Sequence, residues 1–181
     1  IGAIPLSSSP ARALSEEEAT ALVADHLAAR GLGELGWGKE ASSLRERMRA
    51  LHEALGAPWP DVSDEALAGS ARQWLTPWGR RLASGAPLSS VSMLDALRSM
   101  LPWPQAARLD ELAPEKLPIP SGGTRPIDWS GPHPVLTLRV QQAFGWTDTP
   151  RLVDGRVPLV LHLTDPAGRP AAVTSDLTSF W

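Results

Sequence analysis

Apolar residues recur at helical spacing from about Ser15 to Ala113 and at strand spacing beyond it. In "SEEEATALVADHLAARG", Ser15 and Glu18 have capping-box spacing, acids fill the first turn, and Gly31 provides a stop. Leu22, Val23, His26, Leu27 and Arg30 then share one face, which makes His26 a packed, hydrogen-bonded histidine rather than a metal ligand. "KEASSLRERMRALHEAL" repeats the pattern with Leu44, Met48, Leu51 and Leu55, capped by Gly56. Its other face, Arg45, Arg47 and Arg49 among Glu46 and Glu53, reads as solvated. "PWPDVSDEALAGSARQWL" predicts a Pro-rich loop and a third helix capped near Ser63, and Pro77 opens a short fourth. "LSSVSMLDALRSMLP" places Val91, Leu94, Leu97 and Leu101 on one side before Pro102 ends it, and "PQAARLDELAP" is a short amphipathic sixth piece.

After Ala113 the period changes, and prolines and glycines punctuate short β-prone runs. Ser121-Gly122-Gly123 reads as a hairpin turn, and "VLTLRVQQAFGW" as a strand followed by one or two helical turns ending near Gly145. Asp165-Pro166-Ala167-Gly168 joins two further strands, with His162 expected in the packed scaffold; Leu177–Trp181 starts a helix capped by Ser175 or Asp176. The predicted class is α+β, a layer of about five or six helices followed by a small antiparallel or mixed β unit with one or two short helices. The expected organisation is the end of a strand and a loop over 1–14, a helical region over 15–114 and a β-rich unit over 115–181. A β unit so small is expected to pack on the helices.

Composition narrows the chemistry. With no cysteine among 181 residues, disulfide frameworks, thiolate nucleophiles and Cys-based metal sites are excluded, and a reducing cytoplasm fits. No apolar stretch approaches the ~18 residues that a membrane span needs. The net charge of −3 gives no whole-chain footprint for nucleic acid, so any phosphate contact must be local. Fifteen of the 17 basic residues are Arg, a bias that GC-rich coding explains as well as bidentate phosphate binding does. "IGAIPLSSSPAR" lacks an initiator Met and the charge pattern of a signal peptide, so a start within a longer protein is expected.

No G-x-x-x-x-G-K-[ST] loop occurs in the sequence; Gly31, Gly33 and Gly36 have G-x-G-x-x-G spacing but follow a predicted helix rather than the strand a dinucleotide-binding loop needs, and the four histidines have no ligand spacing. The best acid/base cluster is Asp128, Ser130 and His133 in "DWSGPH". A triad needs members converging from separate elements, so this spacing reads as an Asx or Ser turn.

"LPWPQAARLDELAP", "LPIPSGGTRPIDWS", "GRVPLVLHLTDPAGRP" and "VTSDLTSFW" together resemble the C-terminal region of HrpB, a family of bacterial DEAH-box ATP-dependent helicases, and the helical part is similar to the region before that end. The resemblance implies a parent that couples ATP hydrolysis, with Mg2+, to the unwinding of RNA by motor domains upstream. It implies no catalytic or cofactor-binding residue in this chain. It also implies a basic tail after the Phe-Trp pair and, after Ile-Asp, frequently a Tyr where Trp129 stands. The expected role is a non-catalytic accessory segment of a cytoplasmic helicase that meets its own motor domains and RNA or another single strand. The nucleic-acid candidates are Arg125, Arg139, Arg151, Arg156 and Arg169, with Trp129 and Trp146 to stack on bases. The alternative is a protein-interaction platform using Pro- and Trp-rich loops such as "GAPWPD" and "LPWPQ".

Overall fold

The computed structural model describes residues 12–181, so most of the strand end and loop expected over 1–14 lies outside the described residues. The chain divides into two compact units, each made of two segments: Ile1–Gly36 with Asp64–Ser92, and Trp37–Ser63 with Met93–Trp181. The change from helix to strand is a different boundary, falling between Leu112 and Lys116 inside the second unit.

In the first unit, α1 (Glu16–Arg30) begins with the predicted capping box: Glu18 N–H donates to Ser15 Oγ at 3.1 Å and Ser15 N–H to Glu18 Oε2 at 2.9 Å. Its buried stripe shares only Leu27 with the predicted one. Ala19, Thr20, Ala24 and Leu27 face inward, Leu22 is 55% exposed, and His26 lies on the surface with Nε2 3.0 Å from Glu34 Oε1. Close approach selects the small side chains. Helices α3 (Asp64–Gly69), α4 (Ala71–Trp74) and α5 (Gly79–Ala83) pack on α1, and a Cβ at Gly79 would sit 3.2 Å from Glu16 Cβ and from Thr20 Oγ1. The predicted third helix is broken at Ser70, whose hydroxyl donates back to Ala66 O, and Trp74 Nε1–H donates to Leu67 O at 2.8 Å. Gly36 N–H donates to Val91 O at 2.9 Å, so close that a Cβ there would meet that oxygen at 2.5 Å.

The second unit combines α2 (Lys39–Leu55), α6 (Met93–Met100) and α7 (Trp103–Leu112) with a five-stranded mixed sheet in the order β1-β2-β3-β6-β7. The strands are β1 (Lys116–Pro118), β2 (Thr124–Asp128), β3 (Val135–Arg139), β6 (Val160–Thr164) and β7 (Pro170–Thr174). The first hairpin turns through Gly122 and Gly123, both at positive φ (94° and 79°), as the sequence predicts. β3 and β6 run parallel, and their crossover contains a 3-10 turn at Val140–Ala143 and a small ladder of β4 (Arg151–Leu152) with β5 (Val157–Pro158). Strand alternation buries Leu136, Leu138, Leu161 and Leu163 and turns Thr137, Arg139 and His162 outward. His162 is therefore solvent-facing, against the expectation of a packed residue. The chain closes with α8 (Leu177–Phe180), capped by Asp176, whose carboxylate accepts from Ser179 N–H.

Leu44, Met48 and Leu51 of α2 are buried as predicted, but so is Arg47, which the sequence assigns to a solvated face. Its Nε–H donates to Ala113 O at 2.6 Å, and its terminal nitrogens pair with Asp110 and Glu115. Asp110 and Glu115 remain exposed, so the carboxylates stay hydrated while the guanidinium replaces its water with three protein acceptors. Arg47→Ala strands the buried Ala113 carbonyl and removes the packed stem, and should cost about 3 kcal/mol in urea denaturation. Arg47→Lys, which cannot serve three directions at once, should recover only part of that loss.

Candidate nucleic-acid interface

The sheet's open face is set by strand parity. Thr137 of β3 lies beside His162 of β6, Arg139 beside Thr164, and Val173 of β7 beside His162. Asp128 of β2, opposite Val135, shares that face. Arg139 N–H donates to Gln142 Oε1 at 3.0 Å, which anchors the backbone at the start of the 3-10 turn and leaves the side chain exposed. Val173 is 67% exposed, so this side of the sheet is uncovered at its β7 edge.

The seven candidates fall into three groups. Arg139 stands on the open sheet face, while exposed Arg125 sits on β2 opposite Leu117 of the edge strand β1. Arg156 lines a cavity of about 440 Å³ with Trp129, His133, Pro158 and Ala54. None of Arg125, Arg139 and Arg156 has an ion-pair partner among the described residues. Arg151 and Arg169 are used locally: Arg151 Nε–H donates to Gly155 O at 2.6 Å, and Arg169 pairs with Asp165 at 2.8 Å across the hairpin loop. Trp129, expected to stack on a base, is 3% exposed, and its indole N–H donates to Pro114 O at 2.9 Å. The ring is core, and the indole supplies a hydrogen bond of its own where the resemblance implies a phenol. Trp146 is half-buried.

A second cationic surface was not among the candidates. A cavity of about 420 Å³ beside α2 is lined by Trp37, Arg45, Glu46, Arg49 and Val62. The Arg45 guanidinium lies 5.1 Å from the Trp37 ring centroid, and its Nε–H donates to Val62 O at 2.8 Å. Arg49 lines this cavity and donates to Trp129 O at 2.8 Å and Gly131 O at 2.9 Å, both residues of the Arg156 cavity's lining, while pairing with Glu53. The available signal was the i, i+4 spacing of Arg45 and Arg49, with Trp37 eight positions before Arg45. A charge-balanced helix face concealed it.

"DWSGPH" forms an Asx turn. Asp128 Oδ1 accepts from Ser130 Oγ at 2.6 Å and from Ser130 N–H at 2.9 Å, so the hydroxyl is turned toward the carboxylate. These two bonds hold the Asp128 carboxyl below the usual carboxylate range, with a smaller contribution from nearby His162. No hydrogen bond joins His133 to either residue, and no triad is assembled.

The fold is of the α+β class, and its second unit carries exposed cationic side chains on several elements. Residues 74–181 match the family described as ATP-dependent helicase C-terminal, of the HrpB type, and the chain belongs to that family. It is 36% identical over 185 residues to the ATP-dependent RNA helicase HrpB of Escherichia coli K12, an alignment that takes in 100% of this chain and 23% of the relative. The crystal structure of the E. coli DExH-box NTPase HrpB superposes with a TM-score of 0.80 at 35% identity, covering 96% of this chain and 22% of that one. A structure of the Escherichia coli DEAH/RHA helicase HrpB gives 0.76 at 34% identity, with the same 96% and 22% coverage. The chain thus spans about a quarter of the length of the relatives it matches.

Because the folded-state pKa of Asp128 is depressed, its ionised form stabilises the fold at pH values above the unfolded carboxyl's own, about 3.9, and that stability is lost as pH falls through the folded value. Asp128→Asn should cost at most about 1 kcal/mol at neutral pH, since the site is exposed. Urea midpoints measured from pH 7 downward should show the variant and the parent converging in acid.

Proposed function

We propose that this chain is the non-catalytic accessory C-terminal part of an ATP-dependent helicase acting on RNA, and that it helps position the single strand for motor domains elsewhere in the protein. Family membership supplies the context: the relatives it resembles are described as an ATP-dependent RNA helicase and a DExH-box NTPase. Nucleotide and Mg2+ chemistry belongs to the motor, because the sequence here has no Walker-type loop to cradle phosphates. The observation that carries the positioning role is the contrast among the arginines of the second unit. Arg47, Arg49, Arg108 and Arg169 are neutralised by carboxylates, whereas Arg125, Arg139 and Arg156 keep their charge at exposed positions. Cations left in solvent on a chain of net charge −3 supply the local phosphate contacts that its overall balance does not. No helix among the described residues is long and apolar enough to cross a membrane, in keeping with the cytoplasmic location proposed for the parent.

Labelled single-stranded RNA titrated into the chain should bind with an affinity that falls as salt rises. Arg139→Ala and Arg156→Ala should each flatten the slope of log K against log salt by about 0.7, the value expected for one phosphate contact on a single strand. Absence of binding at low salt would remove nucleic acid from the proposal. In the whole protein, unchanged ATPase and strand-separation rates after deletion of this segment would remove the accessory role.

A second reading, a platform for protein partners, is favoured by one observation. Of the two Pro-Trp-Pro loops, "GAPWPD" buries Trp59 to 5% exposure, but "LPWPQ" leaves Trp103 81% exposed.

A further inference from the structure

Trp103 begins α7, and its neighbours define a surface. At helical spacing Trp103, Ala106 and Asp110 are i, i+3 and i+7, one stripe of the helix. Ala106, Leu109 and Asp110 line a cavity of about 610 Å³ among α2, α6 and α7, which sets Trp103 one turn beyond the cavity's α7 wall. Leu44, Leu94, Leu101 and Leu109 make the apolar walls. Glu40, Asp110 and Glu115 bring carboxylates to it, and Arg98 is the cation besides Arg47. The Arg47 side chain is 4% exposed and committed to Asp110, Glu115 and the Ala113 carbonyl, whereas the Asp110 and Glu115 side chains are 89% and 61% exposed. An incoming group therefore meets outer carboxylate oxygens rather than the guanidinium.

We infer that Trp103 and this cavity form a docking surface for a segment of a partner protein that carries an apolar anchor flanked by Lys or Arg. The anchor enters between the leucine walls, the ring of Trp103 covers it, and the flanking cations meet Glu40, Asp110 and Glu115. A solvent-exposed indole beside a leucine-lined cavity is the composition of an interface hot spot. The charge selects the class of occupant: three carboxylates against Arg98 and the committed Arg47 leave the lining net negative, which favours a cationic segment over a phosphate backbone. The inference rests on the platform reading of Trp103 and is independent of strand contact by Arg139 and Arg156.

A displayed library of random peptides should be selected against this chain, with the chain carrying Trp103→Ala as the counter-selection. Enriched peptides are expected to combine Leu, Ile, Phe or Trp with Lys or Arg, and the leading one should lose at least about tenfold in affinity by calorimetry on Trp103→Ala or Ala106→Arg. Both substitutions lie at exposed helical positions, so unchanged circular dichroism is expected to accompany that loss. Enrichment of acidic peptides, equal enrichment on both chains, or none at all would overturn the inference. So would a Trp103→Ala chain that loses affinity for single-stranded RNA, which would make the face a nucleic-acid surface. Failure of the selected peptide to bind the full-length protein would show the surface covered from within, and would overturn an external partner. An RNA titration unchanged by Trp103→Ala leaves the strand-positioning proposal standing whichever way the peptide experiment falls.

Discussion

Four successive backbone carbonyls, from the last residue of α7 to the residue before β1, are each claimed by a donor from elsewhere in the second unit. Leu112 O accepts from Val153 N–H at 2.9 Å, Ala113 O from Arg47 at 2.6 Å, Pro114 O from the Trp129 indole at 2.9 Å, and Glu115 O from Ile127 N–H at 2.8 Å. The end of a helix leaves carbonyls without partners, and burial makes that costly. Here the requirement is met by α2, the β4–β5 loop, β2 and the turn after it, so the helix-to-sheet passage is fixed from four directions. Arg47 is central because it also binds Asp110 and Glu115 on either side of that passage. Arg49, two residues along α2, takes the carbonyls of Trp129 and Gly131 and ties the same helix to the turn beyond β2.

This arrangement sorts the arginines by task. A guanidinium fills several acceptor directions in one plane, which a single ammonium cannot do. Arg47 and Arg49 use that geometry for structure, and their charge is balanced by Asp110, Glu115 and Glu53. Arg151 and Arg169 fix loops of their own. Arg125 on β2, Arg139 at the end of β3 and Arg156 before β5, the residues proposed to meet a strand, are exposed and have no ion-pair partner among the described residues.

What was legible in the sequence was what is local. The capping box of α1, the Gly122-Gly123 turn and the Asp165–Gly168 loop depend on residues within a few positions of one another, and each forms as expected. The class, helices and then a mixed sheet, follows from the change of period. Apart from Leu27, the buried stripe of α1 was misplaced because the helix packs through Ala19, Thr20 and Ala24, with Gly79 close to Thr20, and small residues give a weak periodic signal next to Leu22 and Val23. Arg47 was misread because Asp110, Ala113 and Glu115 lie 63 to 68 positions away. Trp129 and His162 exchanged their expected roles for a related reason. Strand parity places His162 outward from β6, and Trp129 meets its acceptor only after β2 folds back toward Pro114. The parallel pairing of β3 with β6 is likewise invisible to any local pattern.

The two Pro-Trp-Pro stretches show why exposure needs a structural explanation. Trp59 follows α2 in a loop that folds back on it: its N–H donates to Gly56 O at 3.0 Å and its carbonyl lies 2.7 Å from His52 Nδ1. The ring is consequently buried. Trp103 occupies the first turn of α7, where Pro102 and Pro104 suit the start of a helix and remove donors that would have no partner there. Its position is dictated by the axis of α7, and that axis is held at its far end by the capped carbonyls of Leu112 and Ala113. An exposed aromatic on so constrained a backbone loses little freedom when it is covered, so its burial contributes to binding more fully than burial of a ring on a loose loop. The same guanidinium that completes the end of α7 thereby also presents the indole at its start.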